Sequence, residues 1–358
     1  MVGAATALAL ARAGFATALV EAREPPPWQA GDAPDLRVVA LAPSSVALLR
    51  ELGAWEAIAG ARACAYRHMH VWDAESGAVL DFDAAADGRA ALGWIVENRL
   101  VQHVLWRALE TAGVRRLCPA TVAGFGVRDG HVQLELVPAA AGMDATVAAR
   151  LLVAADGAAS PLRELAGIGT RGRDYAQRAV VAHVATERPH AATAWQRFLP
   201  GGPIALLPLA DGRSSIVWTL PEAEARRVLA LDDTAFCAEV GVASDFRLGR
   251  VTATTPPAAF SLKNQLAERY QHACLVLLGD AAHSVHPLAG QGVNLGLRDV
   301  VELRDTLAAA RDAGRDFAAA HVLRRYARRR RSANMLDALS FDAVARAFAW
   351  QSPPLVGL

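Results

Sequence analysis

The chain has 358 residues and a formal net charge of +1, so its length favours two interleaved domains and its balanced charge argues against nucleic acid as a partner. Its hydrophobic content is 53%, but no run of about 18 uninterrupted apolar residues occurs, which argues against a membrane-spanning helix. Its four cysteines are far apart and form no CxxC pair, which argues against a zinc site or a disulfide framework and favours a reducing compartment.

The first 22 residues predict a buried helix followed by a strand. Residues 2–13 have the apolar spacing of a buried helix, Gly14 is placed to end it, and residues 15–22 predict a strand. In a dinucleotide-binding fold a strand and a GxGxxG turn precede such a helix, and an acid ends the next strand. Gly3 matches the last glycine of that turn and Glu21 the acid. The pattern also fits a glycine that serves helix packing alone.

Residues 150–165 predict a second strand, turn and helix. The apolar run ends at Asp156 and Gly157, and a helix is expected to begin at Ser160 and Pro161, where a serine cap and a first-turn proline are favourable. Asp156 is a candidate for cofactor binding. The alternative is an aspartate that only organises the bend between strand and helix.

The middle of the chain predicts an antiparallel sheet. Short strand-like runs occupy residues 178–186, 193–200, 203–211 and 213–221, and Asp211-Gly212 is a hairpin signal. Such a sheet would cover a ring-shaped substrate and exclude water, with several large apolar side chains on or near it: Trp195, Phe198, Leu206, Leu207 and Trp218. The alternative role of each of these side chains is core packing.

Residues 277–296, LLGDAAHSVHPLAGQGVNLG, repeat the pattern of strand, acid and glycine-rich loop. Gly279 and Asp280 end the strand, and a loop with Pro287, Gly290 and Gly292 leads into a helix. Bare backbone N–H groups at a helix N-terminus suit a flat, electron-rich group that becomes negatively charged. His283 and His286 are three residues apart, but the only acid or cysteine at ligand spacing is Asp280, which already has a better role, so we expect no metal.

These segments resemble the ubiquinone-biosynthesis hydroxylases, a family of class A FAD-dependent aromatic monooxygenases. The similarity is carried by MVGAATALALARAGF, LVEAR, DLRVVALAPSSVALLRELGAW, IVENRLVQHVLWRAL, ADGAASPLR and HPLAGQGVNLGLRD, so it covers nearly the whole chain. It departs at the start, where Met1 occupies an interior position of the fingerprint, and at the end, where relatives continue. We therefore expect either a chain truncated at its N-terminus and also at its C-terminus, or a start assigned at an internal methionine. A protein made strictly from Met1 is expected to lack the first strand and to bind FAD poorly.

The resemblance implies roles for individual residues. Glu21 would hold the adenosine ribose, Arg37 the phosphates or ribityl chain, and Asp280 the ribityl hydroxyl groups. The loop with Pro287 and Gly290 would line the flavin ring as the catalytic element, without a side-chain base. The expected cofactor-binding residues are Gly3, Glu21, Arg37, Asn98, Gln102, Asp156, Gly279, Asp280, Pro287, Gly290, Gln291, Gly292, Val293 and Asn294.

The implied fold is α/β, with a Rossmann-like FAD-binding domain of the para-hydroxybenzoate-hydroxylase type, an interleaved and mainly antiparallel β substrate domain, and C-terminal helices. The FAD-binding domain would comprise residues 1–71, 97–175 and 267–320, with a substrate-domain insertion at 72–96, the antiparallel sheet at 176–266 and the C-terminal helices at 321–358.

The implied function is hydroxylation of the aromatic ring of a polyprenylated phenol or quinol in ubiquinone biosynthesis, with O2, transient NAD(P)H and a flavin C4a-hydroperoxide. The alternative is a catalytically silent FAD-fold scaffold or lipid-carrying subunit of a biosynthetic complex. We expect a cytoplasmic protein. Arginines at 324–331 leave open peripheral contact with the inner face of the membrane, against the alternative of a solvated helix.

Overall fold

The computed structural model describes residues 1–138, 145–284 and 292–349, with side chains described up to residue 337 in the last helix. The helices are α1 (Val2–Arg12), α2 (Pro43–Glu51), α3 (Trp55–Arg62), α4 (Asn98–Thr111), α5 (Pro161–Leu165), α6 (Glu222–Leu229), α7 (Asp233–Ala243), α8 (Gly292–Asp312) and α9 (Ala320–Ala349).

The strands of the first half are β1 (Ala18–Val20), β2 (Val38–Leu41), β3 (Cys64–Tyr66), β4 (His68–Asp73), β5 (Val79–Asp83), β6 (Gly93–Glu97), β7 (Arg115–Leu117), β8 (Ala120–Arg128), β9 (His131–Pro138), β10 (Thr146–Ala149) and β11 (Leu152–Ala154). Those of the second half are β12 (Thr170–Thr186), β13 (Thr193–Phe198), β14 (Ile204–Pro208), β15 (Ser214–Pro221), β16 (Val251–Thr254), β17 (Ala258–Ala267), β18 (Gln271–His272), β19 (Leu275–Leu277) and β20 (His283–Ser284).

Helix α1 is the centre of the larger hydrophobic core. Its residues 5–10 are all buried and pack with α4, α8 and the start of α9. The helix ends as its sequence predicts. Gly14 adopts φ +85°, its N–H bonds to the Ala11 carbonyl, and the Phe15 N–H bonds to the Leu10 carbonyl. Glycine takes this left-handed conformation without a steric penalty, so Gly14 fixes the point at which the chain turns into β1.

Two small parallel strand pairs lie beside α1. Strand β1 pairs with β7, and β11 pairs with β19, which also carries the antiparallel β18. Among the described residues no strand joins β1 to β11, and a cavity of about 1450 Å³ is lined by residues of both strands. The cavity thus lies between the two parallel pairs.

A large sheet forms the second layer. Its strands run in the order β20, β17, β12, β15, β14, β13, β4 and β5, with β16 paired to β12. All of its pairs are antiparallel except β13 with β4. Helices α6 and α7 pack on one face of this sheet in a second hydrophobic core. The opposite face is directed at β2 and its neighbours, and a second cavity described below lies there.

This architecture confirms the predicted fold class, which is a mixed α/β fold with a mainly antiparallel sheet and helices at the C-terminal end. Asp211 and Gly212 lie in the tight connection between β14 and β15, as the hairpin signal predicts. Strand β12 is longer than predicted, because it begins at Thr170 instead of residue 178.

Candidate cofactor and substrate site

The first turns of α1 and α8 meet at the turn that contains Gly279 and Asp280. A Cβ atom on Gly279 would lie 3.3 Å from a methyl carbon of Val2, and one on Gly296 would lie 2.7 Å from another. Gly279 also adopts φ +54°. Glycine at these positions thus lets two helix N-termini approach Asp280, and such termini present N–H groups and partial positive charge to an anion.

Two carboxylates flank the first turn of α1. Glu21 directly follows β1, and Asp280 follows β19. Burial lowers the pKa of the Met1 amino group, and the charges of Glu21 and Asp280 oppose that shift, so both acids lie close to the helix start. Removal of water by the surrounding chain raises the pKa of Asp280, while His283 and Arg37 oppose the increase. Both carboxylates are exposed and accessible to a ligand.

The cavity of about 1450 Å³ brings together four of the predicted residues, namely Gly3, Glu21, Gln102 and Asp156. It follows the outer side of α1 and passes between β1 and β11. A pocket for a small molecule has about 300–1,000 Å³, so this cavity has room for a dinucleotide cofactor.

The Asp156 side chain also organises its own turn. One of its oxygens accepts a hydrogen bond from the Leu162 N–H at 3.1 Å, and Ser160 accepts one from the Arg163 N–H at 3.0 Å. Both bonds satisfy N–H groups at the start of α5, and Pro161 occupies its first position. The predicted cap is confirmed. The bond to Leu162 is the structural role that the sequence offered as the alternative for Asp156.

Arg37 and Asn98 are neighbours. The Asn98 N–H donates to the Arg37 carbonyl at 2.9 Å. The Arg37 guanidinium lies 5.3 Å from the centre of the Phe260 ring, and its positive charge opposes the increase in the pKa of Asp280. Arg37 therefore lies between the Asp280 turn and the large sheet.

The start of α8 is held by Asn294. Its side-chain carbonyl accepts hydrogen bonds from the Ala42 N–H at 2.9 Å and the Ser45 hydroxyl at 2.7 Å, and its amide donates to the Ala40 carbonyl at 2.8 Å. Asn294 is fully buried. Its side chain thus positions α8 against β2 and α2. Gly292 and Val293 are half-buried in the same turn, whereas Pro287, Gly290 and Gln291 lie outside the described residues.

A second cavity of about 420 Å³ lies against the large sheet. Small apolar side chains on β12, β14 and β15 form most of one wall, and they are Ala179, Val181, Ala205 and Val217. Arg37 and Ser284 border the cavity from the cofactor side. Ser284 is the last described residue before residues 285–291.

The large side chains expected to face this space divide between the two sides of the sheet. Leu207 borders the cavity, and Trp195, Leu206 and Trp218 pack in the second core with α6 and α7. For these three residues the structure shows the core-packing alternative.

A buried polar network lies directly behind the Asp280 turn, and the sequence did not reveal it. Asp299 on α8 accepts hydrogen bonds from the Gly279 N–H at 2.9 Å, from His283 Nε2 at 2.6 Å and from Arg330 Nε at 2.6 Å. Its carboxylate is 0% exposed. Arg330 also bonds to Asn334, so α9 is tied through Asp299 to the turn that presents Asp280. His283 therefore has an ion-pair partner, and His286 lies outside the described residues.

Two helix N-termini flanked by acids and bordered by an apolar cavity define a dinucleotide-dependent oxidoreductase of the α/β class. The chain belongs to the family described as FAD binding domain, which matches residues 1–337. FAD is thus its cofactor, and the described residues fit this group. Glu21 and Asp280 both lie close to the first turn of α1.

Characterised relatives are similar over nearly the whole chain. The 3-demethoxyubiquinol 3-hydroxylase of Escherichia coli (strain K12) is 39% identical over 99% of this chain and 89% of that protein. The ubiquinone hydroxylase UbiL of Rhodospirillum rubrum is 37% identical over 99% of this chain and 81% of that protein. The mitochondrial ubiquinone biosynthesis monooxygenase COQ6 of Homo sapiens is 33% identical over 89% of this chain and 76% of that protein.

Solved structures of lower sequence identity have the same fold. The p-nitrophenol 4-monooxygenase PnpA of Pseudomonas putida DLL-E4 has a TM-score of 0.76 at 21% identity, over 99% of this chain and 89% of that chain. HpxO of Klebsiella pneumoniae, complexed with FAD and uric acid, has a TM-score of 0.75 at 19% identity, over 99% of this chain and 88% of that chain.

Proposed function

We propose that this flavin-dependent monooxygenase hydroxylates the aromatic ring of a polyprenylated phenol or quinol in ubiquinone biosynthesis. The observation that carries the proposal is the 420 Å³ cavity, which is lined by small apolar side chains and lies between Arg37 and the sheet. It has the size and polarity for a substituted ring. The relatives named above, whose names describe ubiquinone hydroxylases and monooxygenases, support the same substrate class.

In this proposal, each part of the FAD molecule has its own binding residues. Glu21 binds the adenosine ribose, the N–H groups at the start of α1 with Gly3 hold the phosphates, and Asp280 binds the ribityl hydroxyl groups. Arg37, Asn98 and Gln102 contact the flavin side, and Gly279, Gly292 and the backbone of Val293 and Asn294 support the ring with Pro287, Gly290 and Gln291. Asp156 closes the cavity from α5.

FAD supplies the redox chemistry when bound, by accepting a hydride from NAD(P)H and activating O2. The chain contributes binding and the exclusion of water. The apolar wall formed by Val181, Ala205 and Val217 keeps water from the reacting ring, which prevents the unproductive release of hydrogen peroxide. The α8 N-terminus stabilises negative charge on a reduced flavin placed against it.

A direct test uses a demethoxyubiquinol with one isoprenoid unit, NAD(P)H and ¹⁸O2. We expect a ring-hydroxylated product that carries one labelled oxygen atom, measured by mass spectrometry, in step with NAD(P)H oxidation. NAD(P)H oxidation that yields only hydrogen peroxide would contradict the proposal. No NAD(P)H oxidation by the FAD-loaded protein would contradict it as well and would favour the catalytically silent scaffold or lipid-carrying alternative.

We further infer that α9 contacts an anionic membrane surface, where a polyprenylated substrate resides. Arg324, Arg325, Arg328 and Arg331 are exposed and form no ion pairs within the described part of the chain, whereas Arg330 is buried. The helices described here include none that is long and apolar enough to span a membrane. Exposed arginines on one helix are suited to peripheral binding of anionic headgroups.

A further inference from the structure

The connection between β1 and β2 is long and has no regular secondary structure. Residues 21–37 form neither a helix nor a strand. Loops of more than about 12–15 residues without secondary structure are uncommon and are often functional. This connection begins at Glu21 and ends at Arg37, and both residues are assigned to the FAD site in the proposed function. The contacts that hold the connection in place therefore determine where these side chains lie.

Asp35, near the end of this connection, has hydrogen bonds on its backbone N–H, its carbonyl and both carboxylate oxygens. The N–H donates to Glu97 Oε2 at 2.7 Å, and the carbonyl oxygen accepts from His183 Nε2 at 3.0 Å. One carboxylate oxygen accepts from the Arg37 N–H at 3.2 Å, and the other accepts from the Arg99 N–H at 3.1 Å. Because Glu97 and His183 are buried, Asp35 is held by fixed groups on β6 and β12.

The bond to the Arg99 N–H makes Asp35 a cap for α4. This helix begins at Asn98, and its own N-cap residue, Glu97, makes no side-chain cap bond. The first N–H groups of a helix have no partner within it, and a carboxylate at this end also interacts favourably with the helix dipole. Asp35 therefore satisfies the start of α4 from a separate segment of the chain. The same first turns carry Asn98 and Gln102, which are assigned to the flavin side of the site.

The backbone of Arg37 is held on both sides by this arrangement. Its N–H donates to the Asp35 carboxylate, and its carbonyl accepts the Asn98 N–H at 2.9 Å. The Arg37 side chain is exposed, and a long side chain loses conformational entropy when a ligand orders it. A fixed backbone limits the positions that the guanidinium can reach, which lowers this cost when the side chain meets a cofactor.

We infer that Asp35 is a positioning residue that promotes FAD binding through Arg37, by holding the Arg37 backbone and the start of α4 against the large sheet. This inference rests on the assignment of Arg37 to the FAD site in the proposed function. It adds the residue that places Arg37 there. Asp35 acts without touching the cofactor, so its contribution to affinity depends on the presence of the Arg37 guanidinium.

A double-mutant cycle tests this dependence. FAD is titrated into the flavin-free forms of the unmodified protein, Asp35→Ala, Arg37→Ala and the double variant, and flavin fluorescence gives each dissociation constant. We expect Asp35→Ala to weaken binding about tenfold when Arg37 is present and less than about twofold when it is replaced, because residues that act through each other are not additive. A residue that only maintains the fold would weaken binding by the same factor in both backgrounds.

Asp32→Ala is the matched control. Asp32 lies in the same connection and also bonds to Arg99, but to its guanidinium at 2.9 Å instead of its N–H. Hydrogen exchange at the Arg37 and Arg99 N–H groups of the flavin-free protein should be about tenfold faster in Asp35→Ala and unchanged in Asp32→Ala, because exchange follows local opening. Asp35→Asn retains one acceptor oxygen and is taken through the same cycle, so the result does not depend on how well the alanine variant folds.

Two results would overturn the positioning role. One is an equal loss of FAD affinity in both backgrounds, and the other is an Asp35→Ala variant with the affinity and exchange rates of Asp32→Ala. If Arg37→Ala bound FAD as tightly as the unmodified protein, Arg37 would leave the FAD site and Asp35 would lose its role with it. The cycle requires no substrate, so a protein that forms no hydroxylated product would refute the proposed reaction and leave the result of the cycle unchanged.

Discussion

A few residues determine the geometry of the cofactor site, and Asp299 is the most connected of them. It holds the Gly279 backbone, His283 and Arg330 at once, with no exposure to solvent. The turn that presents Asp280 is therefore held by a buried network of hydrogen bonds and ion pairs.

We predict that Asp299→Asn destabilises the protein by about 3 kcal/mol at pH 7, because Arg330 is left buried without its counter-charge. Burial raises the pKa of Asp299, but His283 and Arg330 outweigh burial and lower it overall. The folded state then binds fewer protons than the unfolded state. The stability that Asp299 adds is full above about pH 4 and is lost as pH falls further through the lowered pKa.

Thermal unfolding of both proteins between pH 3 and pH 8 checks this prediction. Asp305→Asn is the matched control, since Asp305 is on the same helix, is exposed and pairs with Arg304. We expect the control to change stability by less than about 0.5 kcal/mol at every pH. If the difference in stability between the unmodified protein and Asp299→Asn grew at low pH, that result would contradict a lowered pKa for Asp299.

Asp280 gives a second prediction at the same scale. Asp280→Ala should weaken FAD binding roughly 10- to 100-fold, because hydrogen bonds to a charged group contribute about 1.5–3 kcal/mol. Fluorescence titration of the flavin-free protein with FAD measures the effect. Asp87→Ala, an exposed aspartate in the turn after β5, is the control. Equal affinities in the two variants would remove Asp280 from the site.

At the scale of elements, the sequence predicted the helix ends and turns that depend on the conformation of a few neighbouring residues. The end of α1 at Gly14, the cap of α5 at Ser160 and the connection at Asp211-Gly212 all follow from backbone preferences of single residues, and the structure has each of them. The early part of β12 could not be predicted in this way. Residues 170–177 are mostly exposed, and residues 170–174 are strand because β17 pairs with them across the sheet, with Arg171 opposite Leu266.

The Asp299 network was missed for a related reason. The six arginines at 324–331 were interpreted together as a basic surface, yet Arg330 is buried. A signal was present, since Leu323, Tyr326, Arg330 and Asn334 recur at helical spacing and form the buried side of α9. What the sequence could not supply was the partner, because Asp299 is 31 residues away from Arg330 and the contact depends on how α8 packs on α9.

Helix α7 supports the large sheet from behind and offers a prediction about a single cap. The Asp232 side chain accepts a hydrogen bond from the Ala235 N–H at 2.8 Å. Asp232→Ala should cost about 1 kcal/mol of stability, whereas Asp232→Asn should cost little, because asparagine is an equally good cap. Denaturation midpoints measure both. If the asparagine variant lost as much stability as the alanine variant, charge instead of capping would explain the role of Asp232.

At the scale of the whole molecule, the helical layer and the large sheet have different roles in the proposed reaction. The helical layer around α1 and α8 presents charge and N–H groups, and the large sheet presents a wall of small apolar side chains. Arg37 borders the cavity at the sheet, and its positive charge opposes the increase in the pKa of Asp280, so Arg37 lies where the two layers meet. In the proposed reaction, a substrate with a long apolar tail reaches this junction from outside the protein. The exposed face of α9 would then bring the protein to the membrane that holds the substrate.

We predict that the exposed arginines of α9 bind anionic vesicles. Replacing Arg324, Arg325, Arg328 and Arg331 together by glutamine should weaken binding to vesicles of equal parts phosphatidylglycerol and phosphatidylcholine by at least about tenfold, since each basic residue near such a surface contributes about 1 kcal/mol. Binding by the unmodified protein should also fall as salt rises and screens these charges. Flotation measures both effects.

The matched control removes the same amount of charge from elsewhere, by replacing four exposed arginines that are not on α9, namely Arg67, Arg89, Arg107 and Arg128. If net charge alone governed binding, both quadruple variants would float equally poorly. If α9 is the contact, only its variant loses binding, and neither protein binds pure phosphatidylcholine. Equal flotation of the α9 variant and the unmodified protein would leave these arginines as an ordinary solvated helix face and would require another route for the substrate tail.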